Sequence, residues 1–193
     1  DPYGKRARKN PRSARSPFEE NYMADYFKER ERDVSVRLRE IRDTLPEFCD
    51  EFFVGVEPQT TALTRLGYAY DLRIFFDYLT KRVRPFKGMD AEDITLADME
   101  KVTVTHLENY MEYLSLYEFE GKEFANGDRG KARKISTVRS FFKYFFNKDK
   151  LPVNVAAKIS LPKQRDKEII RLERHEIERI LSAAEDGEGM SAH

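Results

Sequence analysis

Two shortages narrow the reading before any motif does: the chain has almost no cysteine and no long apolar run. A single cysteine, Cys49, cannot form an internal disulfide, which fits a reducing compartment and a cytoplasmic location. It falls in the apolar run FCDEFF, where a buried thiol is expected rather than a nucleophile. No stretch approaches the ~18 apolar residues of a spanning helix. A charged fraction of 36% and a mean hydropathy of -0.72 argue in the same direction, against a membrane protein. No segment joins a basic start, an apolar centre and a small-residue cleavage site, so no secretory signal is expected. Strand-like alternation persists nowhere and no internal repeat is visible, so the expected fold class is all-α. At 193 residues the chain is one domain with extensions, or two small domains.

The net charge of zero hides a segregation. Residues 90–123 carry ten acidic side chains against two lysines, whereas residues 129–150 carry eight Lys/Arg against one Asp. Residues 1–17 add six Lys/Arg against one Asp. A polyanion responds to such local fields more than to the total.

Residues 1–17, with three prolines and little that is apolar, are expected to be a disordered basic arm. Residues 18–45 form a charged helical extension with a narrow stripe of Val34, Leu38, Ile41 and Leu45. Pro46 suits the first turn of another helix. A helix over 59–81 carries Tyr68, Leu72, Phe75, Phe76 and Leu79 on one side. Thr95 and Thr103 are expected N-caps, the second opening a helix through Leu114. Asn126, Gly127 and Asp128 break the chain before a helix that ends near Asn147. A polar tether over 159–171 precedes a last helix closed by Gly187.

The segment KARKISTVRSFFKYFFNK, 131–148, packs five aromatic rings among six cations. At about 100° per residue, Ile135, Val138, Phe142, Phe145 and Phe146 share one stripe with Phe141 at its edge. The rings are therefore core. The opposite face holds Arg133, Ser136, Thr137, Ser140 and Lys143, with Arg129 and Lys131 at the first turn. An arginine beside small hydroxyls suits a helix that enters a major groove. A merely solvated face has the same composition. The 59–81 helix adds Leu63, Leu66, Gly67 and Tyr70 opposite its own stripe, suited either to thymine methyls or to packing on the N-terminal helix. Thr64 and Arg65 in the same turns are candidate phosphate contacts.

TRLGYAYDLRIFFDYL, 64–79, resembles the Thr-x-x-x-Tyr-x-x-Asp-Leu-x-x-Phe pattern of the tyrosine-type site-specific recombinases of the phage integrase and Xer group. RKISTVRSFFKYF, 133–145, is similar to that family's last core-binding helix, and LPK, 161–163, to the linker that follows it. Leu172, Glu176, Ile177, Ile180 and Leu181 resemble the first helix of its catalytic domain. The resemblance implies an orthogonal, SAM-like core-binding domain over 46–158, a linker over 159–171, and the start of a catalytic domain over 172–193. It implies duplex DNA as partner, other protomers on the same DNA, and a role in recombination and integration. Contacts to DNA are expected from Thr64, Arg65, Gly67, Arg129, Lys131, Arg133, Lys134, Ser136, Thr137, Ser140, Lys143 and Lys163.

The family's chemistry is attack by a tyrosine on a phosphodiester, with arginines, a lysine and histidines stabilising the developing charge. No Gly-x-Arg motif of that kind, no His-x-x-Arg and no late tyrosine occurs here, so the chain is expected to bind without cutting, as a piece that stops before the catalytic motifs. His106 and His175 lack a second ligand at metal spacing, and no metal or cofactor is expected. A nuclease would need paired carboxylates on a suitable loop, which are not evident. The rival reading is a helical interaction module whose acidic and basic segments pair across subunits. Residues 1–45 fit either an arm for accessory DNA sites or a helix packed on the bundle.

Overall fold

The computed structural model describes residues 17–161 and 174–185. Six helices and one two-stranded hairpin make up its regular structure: α1 (Pro17–Arg42), α2 (Cys49–Val56), α3 (Ala62–Arg82), α4 (Val104–Tyr113), β1 (Leu116–Phe119), β2 (Lys122–Ala125), α5 (Asp128–Asn147) and α6 (Arg174–Glu185), with five short 3-10 segments in the connections, three of them between α3 and α4. The fold is a mostly helical bundle. The chain divides into a unit over Asp1–Pro162 and a second over Lys163–His193. In the second, α6 exposes Ile177, Ile180 and Leu181 along one side.

The first unit is organised around α3. Thr61 caps it by accepting from the Thr64 amide at 3.2 Å, and its 21 residues span about 30 Å. Helix α1 lies along one flank of α3 and α5 along another, and α2 closes on α5. Leu38, Ile41 and Leu45 are buried, so the stripe expected on the N-terminal extension is spent on the bundle. Helix α2 begins at Cys49 rather than at Pro46, whose carbonyl instead accepts from the Cys49 amide at 2.9 Å in a lead-in turn. The Cys49 thiol is buried, and burial, then the charge of Asp50, push its pKa up.

Of the two threonines read as caps, Thr103 is the N-cap of α4, whereas Thr95 stands one residue before Leu96, the N-cap of the 3-10 turn Ala97–Lys101, and still accepts a main-chain hydrogen bond from that turn. Thr103 and His106 form a reciprocal capping box at the head of α4, with the Thr103 amide donating to His106 Nδ1 at 3.2 Å. Thr95 Oγ1 accepts from the Asp98 amide at 3.3 Å, and the Asp98 carboxylate accepts from Lys101 Nζ at 2.7 Å and from Thr95 Oγ1 at 2.6 Å.

Three features differ from expectation. The first is the hairpin, where no strand was foreseen. Its register pairs Leu116 with Ala125 and Phe119 with Lys122. Glu120 and Gly121 turn it at φ of 51° and 72°, the left-handed pair that two-residue hairpin loops require. Four-residue strands and a Glu-Gly turn, with every β2 residue exposed, left little alternation to read. The second concerns α5, where Phe141 is fully buried while Phe146 is 42% exposed. Because α5 contacts α2 as well as α3, its buried arc is rotated toward Phe141, whose ring meets those of Phe52 at 5.4 Å and Phe76 at 6.1 Å. The third is Leu66, which lies outside the expected core stripe but is buried, in line with the second of the two readings of that face, packing on the N-terminal helix. Tyr70, its neighbour on that face, is half-buried and accepts a hydrogen bond from Arg37 Nε of α1 at 2.5 Å, so this side of α3 packs on the N-terminal helix.

Two stability effects follow. A Cβ added at Gly55 would clash with the hydroxyl edge of the Tyr144 ring, itself held against Phe52 at 5.6 Å and Phe145 at 5.1 Å. Gly55→Ala is expected to cost about 1–3 kcal/mol in urea denaturation, the range for overpacking. The hydrogen bonds from Lys101 and then Thr95 hold the Asp98 pKa down from 3.8 to about 2. A carboxylate depressed on folding contributes stability above its unfolded pKa and loses it as pH falls through the folded one. Asp98→Asn should therefore flatten the loss of stability between pH of about 4 and about 2, and leave the dependence above that window unchanged.

Candidate nucleic-acid interface

The first turns of α3 and the middle of α5 face one another across an open cleft of about 400 Å³. Its lining is Leu63, Thr64, Gly67 and Tyr68 from α3, and Arg133, Ser136, Thr137 and Ser140 from α5. The two helices singled out from sequence thus contribute to one concave surface. Small side chains on both walls keep it open. A Cβ built at Gly67 would meet only Arg133 Nη1, at 3.8 Å.

Beneath the cleft lies Asp71, in the sequence one letter of the 64–79 pattern. Its side chain is 1% exposed. Oδ2 accepts from Arg133 Nη1 at 2.7 Å and from Thr137 Oγ1 at 2.8 Å, while Oδ1 faces Lys134 Nζ at 3.8 Å. Lys134 Nζ also donates to Asn126 Oδ1 at 3.4 Å, and Asn126 Nδ2 donates to the Leu114 carbonyl at 3.0 Å, which ties the root of the hairpin to α5. Burial raises the Asp71 pKa, and Arg133, Thr137 and Lys134 pull it partly back. Burial lowers that of Lys134, against the attraction of Asp71. The only sequence signal for this cluster was an acid set among the apolar residues of α3, between Tyr70 and Leu72.

Several expected contact residues have other partners. Lys134 and Thr137 were expected on the outward face but are buried, because Asp71 draws both inward. Arg65 donates to the Thr60 carbonyl at 2.9 Å and to Glu57 Oε1 at 3.2 Å, so it braces the turn before α3 instead of standing free. Lys131 Nζ donates to Ser115 Oγ at 2.6 Å. Arg129, Ser136, Lys143 and Thr64 are exposed, and Ser140 is half-buried at the cleft wall. The Arg133 side chain is 54% exposed although one nitrogen is bound to Asp71. Lys163 lies outside the described residues.

No protein-family model matches the chain, and no solved structure matches it. Among curated proteins it is similar to a protein named tyrosine recombinase XerC from Caldanaerobacter subterraneus subsp. tengcongensis, 29% identical over 147 residues, which takes in 72% of this chain and 40% of that protein. A tyrosine recombinase XerC of Leptospira interrogans serovar copenhageni is 25% identical over 141 residues, 73% of this chain and 39% of the relative. By sequence, the chain is similar to proteins named tyrosine recombinase. It spans about two fifths of the length of the tyrosine recombinases that it matches. Among the described residues no helix is long and apolar enough to cross a membrane.

The Asp71 cluster makes a direct prediction about stability. Thr137→Val keeps the side-chain shape but removes a buried hydrogen bond to a charged acceptor, and should cost about 1–3 kcal/mol in urea denaturation. A change below a few tenths would mean that Thr137 does not hold α5 to α3.

Proposed function

We propose that this chain binds duplex DNA as the core-binding part of a tyrosine recombinase that acts in DNA recombination and integration. In this reading residues 46–158 form the DNA-binding, SAM-like domain, 159–171 the linker, and 172–193 the start of a catalytic domain. One observation carries it: two helices distant in sequence, each pointing to DNA by its residues, line a single cleft with Arg133 at its opening. Arg133, Ser136 and Ser140 are suited to base edges in a major groove, and Thr64, Arg129 and Lys143 to phosphates on either side. Gly67 lets the backbone of α3 come close. Lys134 and Thr137 act from below, by holding α5 in place.

In the same proposal the chain does not cut DNA by itself. Tyr110 is fully buried, and burial raises its pKa well above the usual value, which makes it a poor nucleophile. Tyr144 is raised in the same direction by burial and by Glu51. Strand breakage and rejoining are assigned to the longer recombinase of which such a chain would be part. Other protomers on the same duplex are proposed as its protein partners.

A filter-binding titration on random-sequence duplex over a range of salt tests this. Arg129→Ala is expected to lower the log–log salt slope by about 0.9, one phosphate contact. Arg133→Ala should also weaken binding to this duplex, through loss of a cation at the cleft, while the helical circular dichroism is unchanged. Lys87→Ala, on the turn beyond the far end of α3, should have no effect. Equal effects of all three substitutions would count against the cleft. An oligomer dispersed by salt, with no DNA affinity, would place the segregated charges at a subunit interface instead.

A further inference from the structure

Asp71 raises a question that DNA binding alone does not answer. A carboxylate set beneath a surface meant for a polyanion repels the ligand, and its burial is costly to the fold. Its bond to Thr137 and its contact with Lys134 are both buried and already join α3 to α5. The bond to Arg133 differs from these. That side chain is 54% exposed, so besides offsetting the buried charge of Asp71 it reaches the surface of the cleft. What the bond adds there is geometric. The guanidinium is held from below by Oδ2 at 2.7 Å and lies beside Gly67, where an added Cβ would touch Nη1 at 3.8 Å. Only one of its five N–H donors is used in this bond, so a planar pair of donors remains for the cleft.

We propose that Asp71 is a positioning residue for sequence discrimination: it fixes the Arg133 guanidinium in the α3–α5 cleft before DNA arrives, so that Arg133 reads a guanine edge. The chemistry chooses the base. A fixed guanidinium fork matches the O6 and N7 acceptors of guanine in the major groove. A fork already in place gives up less freedom on binding than a loose one, and it rejects bases that cannot accept both bonds. The proposal rests on the DNA-binding reading, and it also accounts for the acid: Asp71 lowers affinity for phosphate in general and raises selectivity at one position.

The test selects duplexes with a randomised centre on the whole chain and on two variants, Asp71→Asn and Arg133→Lys. The wild-type chain should enrich duplexes with a guanine at one fixed position, by about tenfold or more over the other bases. Asp71→Asn should keep or strengthen its grip on unselected duplex, since one negative charge leaves the cleft floor, but lose that preference. Arg133→Lys, which keeps the charge without the fork, should lose it at the same position. No retention of any duplex by the wild-type chain would overturn both the DNA reading and this one. Retention with the guanine preference intact in either variant would overturn this inference alone. If Asp71→Asn fails to fold, nitrogen NMR of the free wild-type chain decides. Separate signals for the two Nη atoms of Arg133, assigned by their loss in Arg133→Lys, support a fixed guanidinium, and one averaged signal overturns it.

Discussion

The carboxylate of Asp71 is the point where α3, α5 and the cleft meet, and the geometry of all three depends on it. An isolated ionised carboxylate at 1% exposure would be very costly, yet this one is met by a guanidinium, a hydroxyl and an ammonium, all from one turn of α5. Arg133 and Thr137, four residues apart on that helix, reach the same oxygen at 2.7 and 2.8 Å. Sliding α5 by a turn, or rotating it by one residue, would break both bonds at once. The aromatic core does not impose that restriction. Phe75, Phe76, Phe141, Phe142 and Phe145 pack edge to face or tilted at 5.1–6.4 Å, contacts that several rotations of a ring-rich helix could approximate. The rings hold the helices together, and the carboxylate selects their register.

The same point explains how the local charge behaves. Counted along the sequence, residues 129–150 look strongly basic, but the fold commits much of that charge. Lys134 and part of Arg133 go to Asp71, Lys131 goes to Ser115, Lys150 pairs with Glu51, and Lys148 sits 5.9 Å from the centre of the Tyr144 ring. Two cations share the single carboxylate of Asp71, so the floor of the cleft keeps a positive balance even with its acid ionised. Fewer cations are free than the sequence count suggests, and the cleft is still suited to an anion.

What was legible in the sequence followed from periodicity. A helix with one buried face announces it, and Leu38 and Ile41 on α1, with Ile135, Val138, Phe142 and Phe145 on α5, are core as their spacing implies. The main-chain hydrogen bonds accepted by Thr95 and Thr103 were legible because their partners lie three residues away. Periodicity fails where a helix is covered from more than one side. Helix α3 receives α1 and α5 on different flanks, so Leu66 is buried outside the expected stripe, and α5 turns Phe141 in and Phe146 out for the same reason. Polar residues were harder still. Lys134 and Thr137 read as outward-facing because their shared partner is remote in sequence: Asp71 stands 66 positions before Thr137. Arg65 is a local failure, since its partners, Glu57 and Thr60, were within eight residues.

Two glycines separate what the bundle needs from what its surface needs. Gly55 is a requirement of packing, because any side chain there would collide with Tyr144. Gly67 meets no such obstacle. It lies inside α3, where glycine is about 0.5–1 kcal/mol less stable than alanine, and an alanine Cβ would make only an ordinary contact with Arg133. The bundle would be firmer without it. What the missing Cβ gives is depth, facing the small side chains of Ser136 and Ser140 across the cleft. Glycine at the position beside the half-exposed, anchored Arg133 gives up stability and leaves the α3 backbone open to the cleft.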